Sequence, residues 1–367
     1  MIGEEPSPIR THEASERAFI ATALKAVGVT QSDADDVAEI LTAADLRGVE
    51  SHGIARLEHF YVRRIEAGVV KPRAEYTTLR ELPTLFAMDA GCGLGHPASK
   101  HAMQKTIEKA RNYGIAWSTV RNSNHYGIAG YYAMMALPHD MIGISSTNAT
   151  QLAVPTFGAQ KVAGTNPIAV AVPTVEEPPF VLDMATTAVT FGRLEVNERK
   201  AKPLKHGWAV GPDGRETLDP ILAKTKGAIL PLGGIGTENG GHKGYGMMVL
   251  VELLTAVLGS GPFADALKLP ESGIHGGKTS HFFGAISIDA LRDVDEFKRD
   301  MDRELRTFKS SAPAPGQTRV YVAGEPEHEF TERYRREGVP INERVWEVLD
   351  AMAERLNIDK LERFTVV

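Results

Sequence analysis

The chain has 367 residues, 43% hydrophobic and 24% charged, with a net charge of −6 and one cysteine, Cys92. That length supports a large core and about two domains, and the composition is that of a globular chain. The acidic balance argues against wholesale binding to nucleic acid or an anionic membrane. A lone cysteine excludes an intrachain disulfide frame, which makes the cytoplasm the expected compartment.

Residues 1–10 read as a loose arm with Glu4, Glu5 and no apolar core, unlike a secretory signal. Glu13 to Val27 predicts a helix. A second is expected from Ser32, with Asp35 as its capping partner, Val37, Ile40, Leu41 and Ala44 as its apolar face and Gly48 as its stop. Ser51 is the expected N-cap of a third helix, with Ile54, Leu57, Tyr61 and Ile65 as its buried stripe and Gly68 at its end.

The composition then shifts. Strands are expected at Thr84–Met88, Ile115–Val120, Ile142–Thr147, Ile168–Val172, Phe180–Met184 and Phe282–Ile288. Helices are expected after the glycine-rich turn Gly91–Gly95, running through Asn112, and over Ile128–Leu137. Residues 195–242 carry many Gly, Pro and Lys and read as long loops. Tyr245 to Leu258 reads as a buried helix, because Glu252 interrupts it and it is too short to span a bilayer. Towards the end, Phe297, Met301, Leu305 and Phe308 share a helical face, Arg319–Ala323 reads as a short strand, and Asn342–Leu356 is a last amphipathic helix. The pattern predicts an α/β protein. A mixed-sheet domain would cover 76–289, beside a discontinuous helical lobe from 1–75 plus 290–367.

The stretch Glu50-Ser51-His52-Gly53-Ile54-Ala55-Arg56 gathers a hydroxyl, an imidazole and a guanidinium. On a helix started by Ser51, His52 and Arg56 lie four apart on one face. A proton carrier beside a fixed cation suits a small carboxylate substrate. Gly93-Leu94-Gly95-His96-Pro97-Ala98 imitates a dinucleotide-binding turn. Pro97 removes a donor near the helix start, however, and Trp117 to Val120 stands where a ribose-binding acid is needed. His125 lies in the loop Asn122-Ser123-Asn124-His125-Tyr126-Gly127, at a strand-to-helix junction. Gly240-Gly241-His242-Lys243-Gly244 opens the apolar helix and suits an anion. Metal spacing is poor: no H-E-x-x-H occurs, and His275 and His281 merely flank Gly276-Gly277.

Taken in order, Ser51-His52-Gly53 with Arg56, the Asn122–Gly127 loop, Gly164-Thr165-Asn166-Pro167, Leu182-Asp183-Met184-Ala185 and Gly241-His242-Lys243-Gly244-Tyr245-Gly246 closely resemble the type-2 malate/L-lactate dehydrogenase family. That family includes sulfolactate, ureidoglycolate and diketogulonate oxidoreductases and a piperideine-2-carboxylate reductase. The resemblance implies a homodimer that binds NAD or NADP on a non-Rossmann fold. It implies Ser51 and His52 as relay and proton donor, Arg56 on the substrate carboxylate, and Thr165 touching substrate. His125 would stand at the active site, where relatives have also assigned the acid/base role. The cofactor would lie along His125, Tyr126, Gly127, Ile128 and Ala129, along Asp183, Met184 and Ala185, at His242 and Lys243, and near Gly324 and Glu325. Relatives often carry a tyrosine four residues after the arginine; here Phe60 stands there and Tyr61 follows. Either the register shifts by one or that contact is missing.

The expected reaction exchanges a hydride between nicotinamide and a small 2-hydroxy or 2-keto acid, with an imidazole carrying the proton. Arg56 would fix the acid bidentately. A histidine in a first helical turn is held neutral by the helix dipole, which favours alcohol oxidation. The alternatives are a cyclic-imine carboxylate reductase, a metal-assisted hydrolase and a non-catalytic small-molecule binder.

Overall fold

The computed structural model describes residues 7–268 and 279–365. The first six residues of the expected arm, and His275 with Gly276 and Gly277, lie outside the described residues. The remainder of the arm is ordered: β1 (Ile9–Thr11) is the centre of a three-stranded sheet. Helix α1 (Glu13–Ala26) follows, then α2 (Gln31–Leu46), which is capped by Thr30 Oγ1 accepting from Asp33 N at 3.2 Å, two residues earlier than the expected Ser32. Val37, Ile40, Leu41 and Ala44 are buried, as their spacing requires.

The chain then runs irregularly. Glu50–His52 and Ile54–Arg56 are single 3₁₀ turns, Leu57–Val62 is π-helical, and only α3 (Arg63–Glu66) is α-helical. Ser51 is therefore not an N-cap; it sits inside the first 3₁₀ turn, which follows Val49. The physical reason is Asp45, whose Oδ2 accepts from Ile54 N at 2.6 Å and takes the capping bond that Ser51 was expected to make.

Next come β2 (Thr77–Glu81), β3 (Leu85–Asp89), α4 (Gly95–Tyr113), β4 (Ile115–Ser123), α5 (Ala129–Met134), β5 (Met141–Thr147), β6 (Ile168–Val172) and β7 (Phe180–Met184). The 195–242 region is more structured than its Gly and Pro content suggests. It holds the end of α6 (Phe191–Arg199), β8 (Ala209–Val210), α7 (Pro220–Thr225), β9 (Ala228–Ile229) and the start of α8 (Gly241–Glu252). Leu253–Val257 continues α8 as a π-helical stretch. This segment is not the buried helix expected, because Leu250, Leu253, Val257 and Leu258 are all exposed. The chain ends with β10 (Thr279–Ser287), α9 (Val294–Lys309), α10 (Glu325–Glu337), β11 (Val339–Pro340), α11 (Glu343–Leu356) and β12 (Phe364–Thr365). The strand expected at Arg319–Ala323 does not form; the segment instead leads into α10, with Ala323 O accepting from Val181 N.

The main sheet has the order β2-β3-β4-β10-β5-β6-β7. Only β3 and β4 pair in parallel, across the α4 crossover; every other neighbouring pair is antiparallel. The protein is thus a mixed α/β molecule. One core joins Phe19, Leu24, Leu41, Leu57 and Tyr61 to Tyr334, Trp346, Leu349 and Met352, so chain-distant helices share it. A second core lies between the sheet and α4 and α5. Helix α9 leans on the sheet side instead, since Asp302 Oδ1 and Oδ2 accept from the backbone N–H groups of Val175, Glu176 and Glu177.

Candidate active site

The π-helical stretch decides the geometry of the site. A π turn holds one residue more than an α turn, and such turns recur at functional sites. It presents Phe60 and Tyr61 to the same histidine. Tyr61 Oη lies 2.6 Å from His125 Nδ1, and the Phe60 ring meets the His125 ring edge-on at 5.2 Å. The register question raised by Phe60 is answered locally: Tyr61, five residues after Arg56, makes the histidine contact. Glu58, itself buried, anchors the stretch by accepting from Arg63 Nε at 2.6 Å and from Arg355 Nη2 at 2.9 Å on α11.

His125 is positioned from below by the glycine-rich turn that imitates a nucleotide site. A Cβ on Gly95 would lie 2.2 Å from Asn124 O and 2.5 Å from His125 O. Asn124 Nδ2 donates to Gly93 O at 2.6 Å. The glycines therefore serve a close backbone crossing that aims the Asn124–His125 turn.

His52 stacks on His125 with ring centres 5.4 Å apart. Ser51 Oγ is 2.9 Å from His52 Nδ1, and Arg56 Nε donates to Ser51 O at 2.6 Å. The guanidiniums of Arg56 and Arg64 lie over the Phe60 ring, 4.8 and 4.3 Å from its centre. The cleft is lined by Phe60, Arg64, Asn124, His125, Thr150 and Lys268, among others. Ser51, His52, Arg56 and His125 are thus brought together. Phe60, Tyr61, Arg64, Thr150 and Lys268 are additions. The four-residue spacing of Arg56, Phe60 and Arg64 was a usable signal for two of them; nothing local marks Thr150 or Lys268.

Electrostatics keeps both imidazoles neutral. Desolvation in the cleft pulls His52 down to about 4, with the Arg56 charge adding to it. Burial likewise holds His125 well below its ordinary value, helped by His52, His96, Arg56 and Arg64. The cause is desolvation and nearby cations; His52 ends a three-residue 3₁₀ turn, so the expected helix-dipole explanation does not apply. Burial raises Tyr61, which stays a phenol.

The other expected residues form a second group. Asp183 Oδ2 accepts from Gly130 N at 2.7 Å, at the start of α5. Gly324 has a φ of 91°, and a Cβ there would sit 2.9 Å from Val181, in the same strand as Asp183 and Met184. Glu325 is buried and ion-paired with Lys309 at 2.8 Å. The side chains of Tyr126, Ile128 and Ala129 are buried in the protein, and Tyr126 stacks on His281 at 4.4 Å. Thr165 is half-buried and does not line the His125 cleft; its carbonyl accepts from Thr186 N at 2.9 Å, just after Ala185. Leu232 N donates to Thr186 O, and a Cβ on Gly244 would lie 2.1 Å from Leu232 O. The Thr165, Asp183–Ala185 and Gly241–Gly244 strings therefore adjoin through one backbone network. His242 and Lys243 are exposed on the first turn of α8, which has no side-chain cap.

Neutral imidazoles beside two guanidiniums, on a mixed α/β scaffold, are an arrangement suited to moving a proton on a small carboxylic acid. Residues 12–350 match the family described as malate/L-lactate dehydrogenase. The chain is 41% identical to the malate dehydrogenase of Pyrococcus horikoshii over 94% of each sequence, and 35% identical to the L-sulfolactate dehydrogenase of Methanocaldococcus jannaschii over 94% of this chain and 96% of that one. The solved structure of the P. horikoshii enzyme superposes with a TM-score of 0.90 at 37% identity, covering 98% of this chain and all of that one. The chain belongs to the malate/L-lactate dehydrogenase family, and it is an oxidoreductase acting on 2-hydroxy acids.

Proposed function

We propose that the protein is an NAD- or NADP-dependent dehydrogenase of a small 2-hydroxy acid, malate or a near relative, with His125 as its acid/base. The observation that carries this reading is the His125 ring: Nδ1 is tied to Tyr61 while the ring lines a cleft walled by Arg64, beside Arg56. In hydroxy-acid oxidation the His125 imidazole takes the alcohol proton, while Nδ1, 2.6 Å from Tyr61 Oη and accepting from Gly127 N at 3.4 Å, holds the ring in place. The neutral state of the free site suits this direction. A bound carboxylate screens the two guanidiniums, which raises the imidazole towards the protonated form needed for keto-acid reduction. Arg56 binds the carboxylate. Its Nε is committed to Ser51 O, so its terminal nitrogens face the acid. Arg64 and Lys268 favour an acid with a second anionic group. His52, held by Ser51, packs against His125 and supports it.

The nicotinamide group supplies the hydride acceptor or donor. The residues present fit it. The uncapped N-terminus of α8 with His242 and Lys243 suits a pyrophosphate, while Asp183 reaches Gly130 N at the start of α5, which His125–Ala129 leads into, and Gly324 packs on Val181 of the strand that carries Asp183. The single parallel strand pair supports a non-Rossmann binding mode, and the core shared by the first and last helices supports a discontinuous helical lobe. The exposed Leu250, Leu253, Val257 and Leu258 on one side of α8 support a homodimer. A cytoplasmic setting accords with the single cysteine, Cys92, which is unpaired; no helix among the described residues is long and apolar enough to cross a membrane.

The test follows nicotinamide absorbance with NAD and NADP against malate, lactate, sulfolactate and ureidoglycolate, and with NADH and NADPH against diketogulonate and piperideine-2-carboxylate. Turnover of a 2-hydroxy acid supports the reading. Turnover of the cyclic imine alone would transfer the site to imine reduction, and none with either cofactor would overturn it.

A further inference from the structure

Beneath the catalytic loop lie two carboxyl groups that no cation accompanies. Glu16 on α1 is fully buried and Asp45 on α2 is 5% exposed. Their side chains meet in the core, with Thr42 beside them. Ionised carboxylates only accept hydrogen bonds, and neither Glu16 oxygen has a donor partner. The ionisable groups they feel beyond each other are Glu13 on α1 and Glu50 at the loop start, both acidic. No lysine, arginine or histidine among the described residues pairs with either. Two such groups in contact cannot both ionise, so a proton must lie between them.

Asp45 also faces the loop. Its Oδ2 accepts from Ile54 N at 2.6 Å, and a Cβ on Gly53 would fall 2.0 Å from the Asp45 carboxyl. Gly53 is glycine because the carboxyl occupies the space of a side chain. Ile54 opens the turn that carries Arg56, and Arg56 returns to Ser51 O, next to His52. The contacts form one circuit from Glu16 through Asp45, Ile54 and Arg56 to the Ser51-His52 pair.

We propose that Glu16 and Asp45 are positioning residues: one shared proton keeps the pair buried, and the Asp45 oxygen grips the Ile54 N–H, fixing Arg56 and His52 over His125. The circuit carries a pH response with a definite sign. Burial raises both acids, Asp45 to about 7 and Glu16 well above its ordinary value; the Asp45 carboxyl raises Glu16 further, whereas the hydrogen bonds from Glu16 and Ile54 N hold Asp45 back. Folded pKa values above the unfolded ones mean that the pair's contribution to stability is full below the ordinary carboxylate range. It fades as pH rises through about 7 and beyond. Loss of the shared proton leaves two facing anions and loosens the loop.

The kinetic arm rests on the hydroxy-acid oxidoreductase reading; a thermal arm does not. In Glu16→Gln the amide donates permanently to Asp45, so no proton is needed. The alkaline fall of kcat/KM should move to higher pH, and melting temperature should decline less between neutral and alkaline pH than in wild type. Asp45→Ala should raise KM for the acid and lower kcat, with kcat/KM falling about tenfold or more, because a small misplacement of a binding group is costly. KM for the nicotinamide should stay at the wild-type value. If Asp45→Ala does not fold, Glu16→Gln decides alone. A Glu16→Gln protein with wild-type alkaline limb and wild-type melting slope would overturn the pair, as would Asp45→Ala with wild-type kcat/KM. Should the wild type turn over no acid, a flattened melting slope in Glu16→Gln upholds the shared proton and leaves the activity reading as the one that failed.

Discussion

Along β10 the backbone pairs residue by residue with β5 from His281 to Ser287, whereas between Glu50 and Val62 the chain passes through two 3₁₀ turns and into a π-helical stretch. The strand is held by repetition: each residue adds a ladder bond and a side chain to a packed face. The loop is held by particular contacts, namely Asp45 on Ile54 N, Arg56 on Ser51 O, Glu58 on Arg63 and Arg355, and Tyr61 on His125. A regular element tolerates local error because its neighbours share the load. The loop does not, and in return it sets His52 and Arg56 beside His125.

That contrast can be broken by substitutions that separate stability from chemistry. Phe283→Ala, in the middle of β10 and fully buried, should cost about 3–5 kcal/mol of stability. Denaturant melts measure this, and kcat of the folded fraction should stay at the wild-type value; a protein that melts like wild type would mean the strand is less central than its pairing suggests. Arg56→Lys should do the reverse, leaving the melt nearly unchanged while raising KM for the acid about tenfold, since a point charge replaces a planar fork. An unchanged KM for every substrate would remove Arg56 from the carboxylate.

Acid pH probes the sheet side through two fully buried histidines. Burial lowers His96 and His281 to about 3. Unfolded, they protonate near their ordinary value. Their contribution to stability is therefore present above it and lost as pH falls, at up to about 1.4 kcal/mol per unit for each histidine. His281 also links Thr147 Oγ1 and Ser123 Oγ across three strands. His281→Gln should flatten the decline of melting temperature between neutral pH and about pH 5; an equal decline would assign acid sensitivity elsewhere. Tyr61→Phe is the mildest change. It removes one hydrogen bond to His125, worth about 1 kcal/mol, and should lower kcat by about fivefold, with the melting temperature down by no more than a few degrees.

The same contrast explains what the sequence could tell. Alternating and helical patterns are repeated signals, so Ile168–Val172 and Phe180–Met184 match their expected bounds, and Glu13 to Val27 was placed within a residue. The edge strand β2 was missed because all of its residues are exposed and carry no burial pattern. Helix α10 was missed because the segment opens with Glu325-Pro326 and is rich in charge. At the site, Ser51, His52, Arg56 and His125 were legible from their chemistry. Tyr61 was legible there only as one of two alternatives, because a π turn shifts register by one residue without a mark in the sequence. The glycine string at 91–95 looked like a nucleotide site for the opposite reason. Close backbone approach demands glycine whether the neighbour is a phosphate or, as here, the Asn124–His125 turn.

The central claim is that His125 carries the proton while His52 supports it. Single-turnover hydride transfer, followed by nicotinamide absorbance with the preferred hydroxy acid at neutral pH, tests it directly. The account predicts that His125→Ala slows the transfer by about 100-fold or more, whereas His52→Ala slows it by about tenfold or less, as expected for a packing partner. A His125→Ala enzyme that transfers hydride at the wild-type rate, or a His52→Ala enzyme that is the slower of the two, would contradict it.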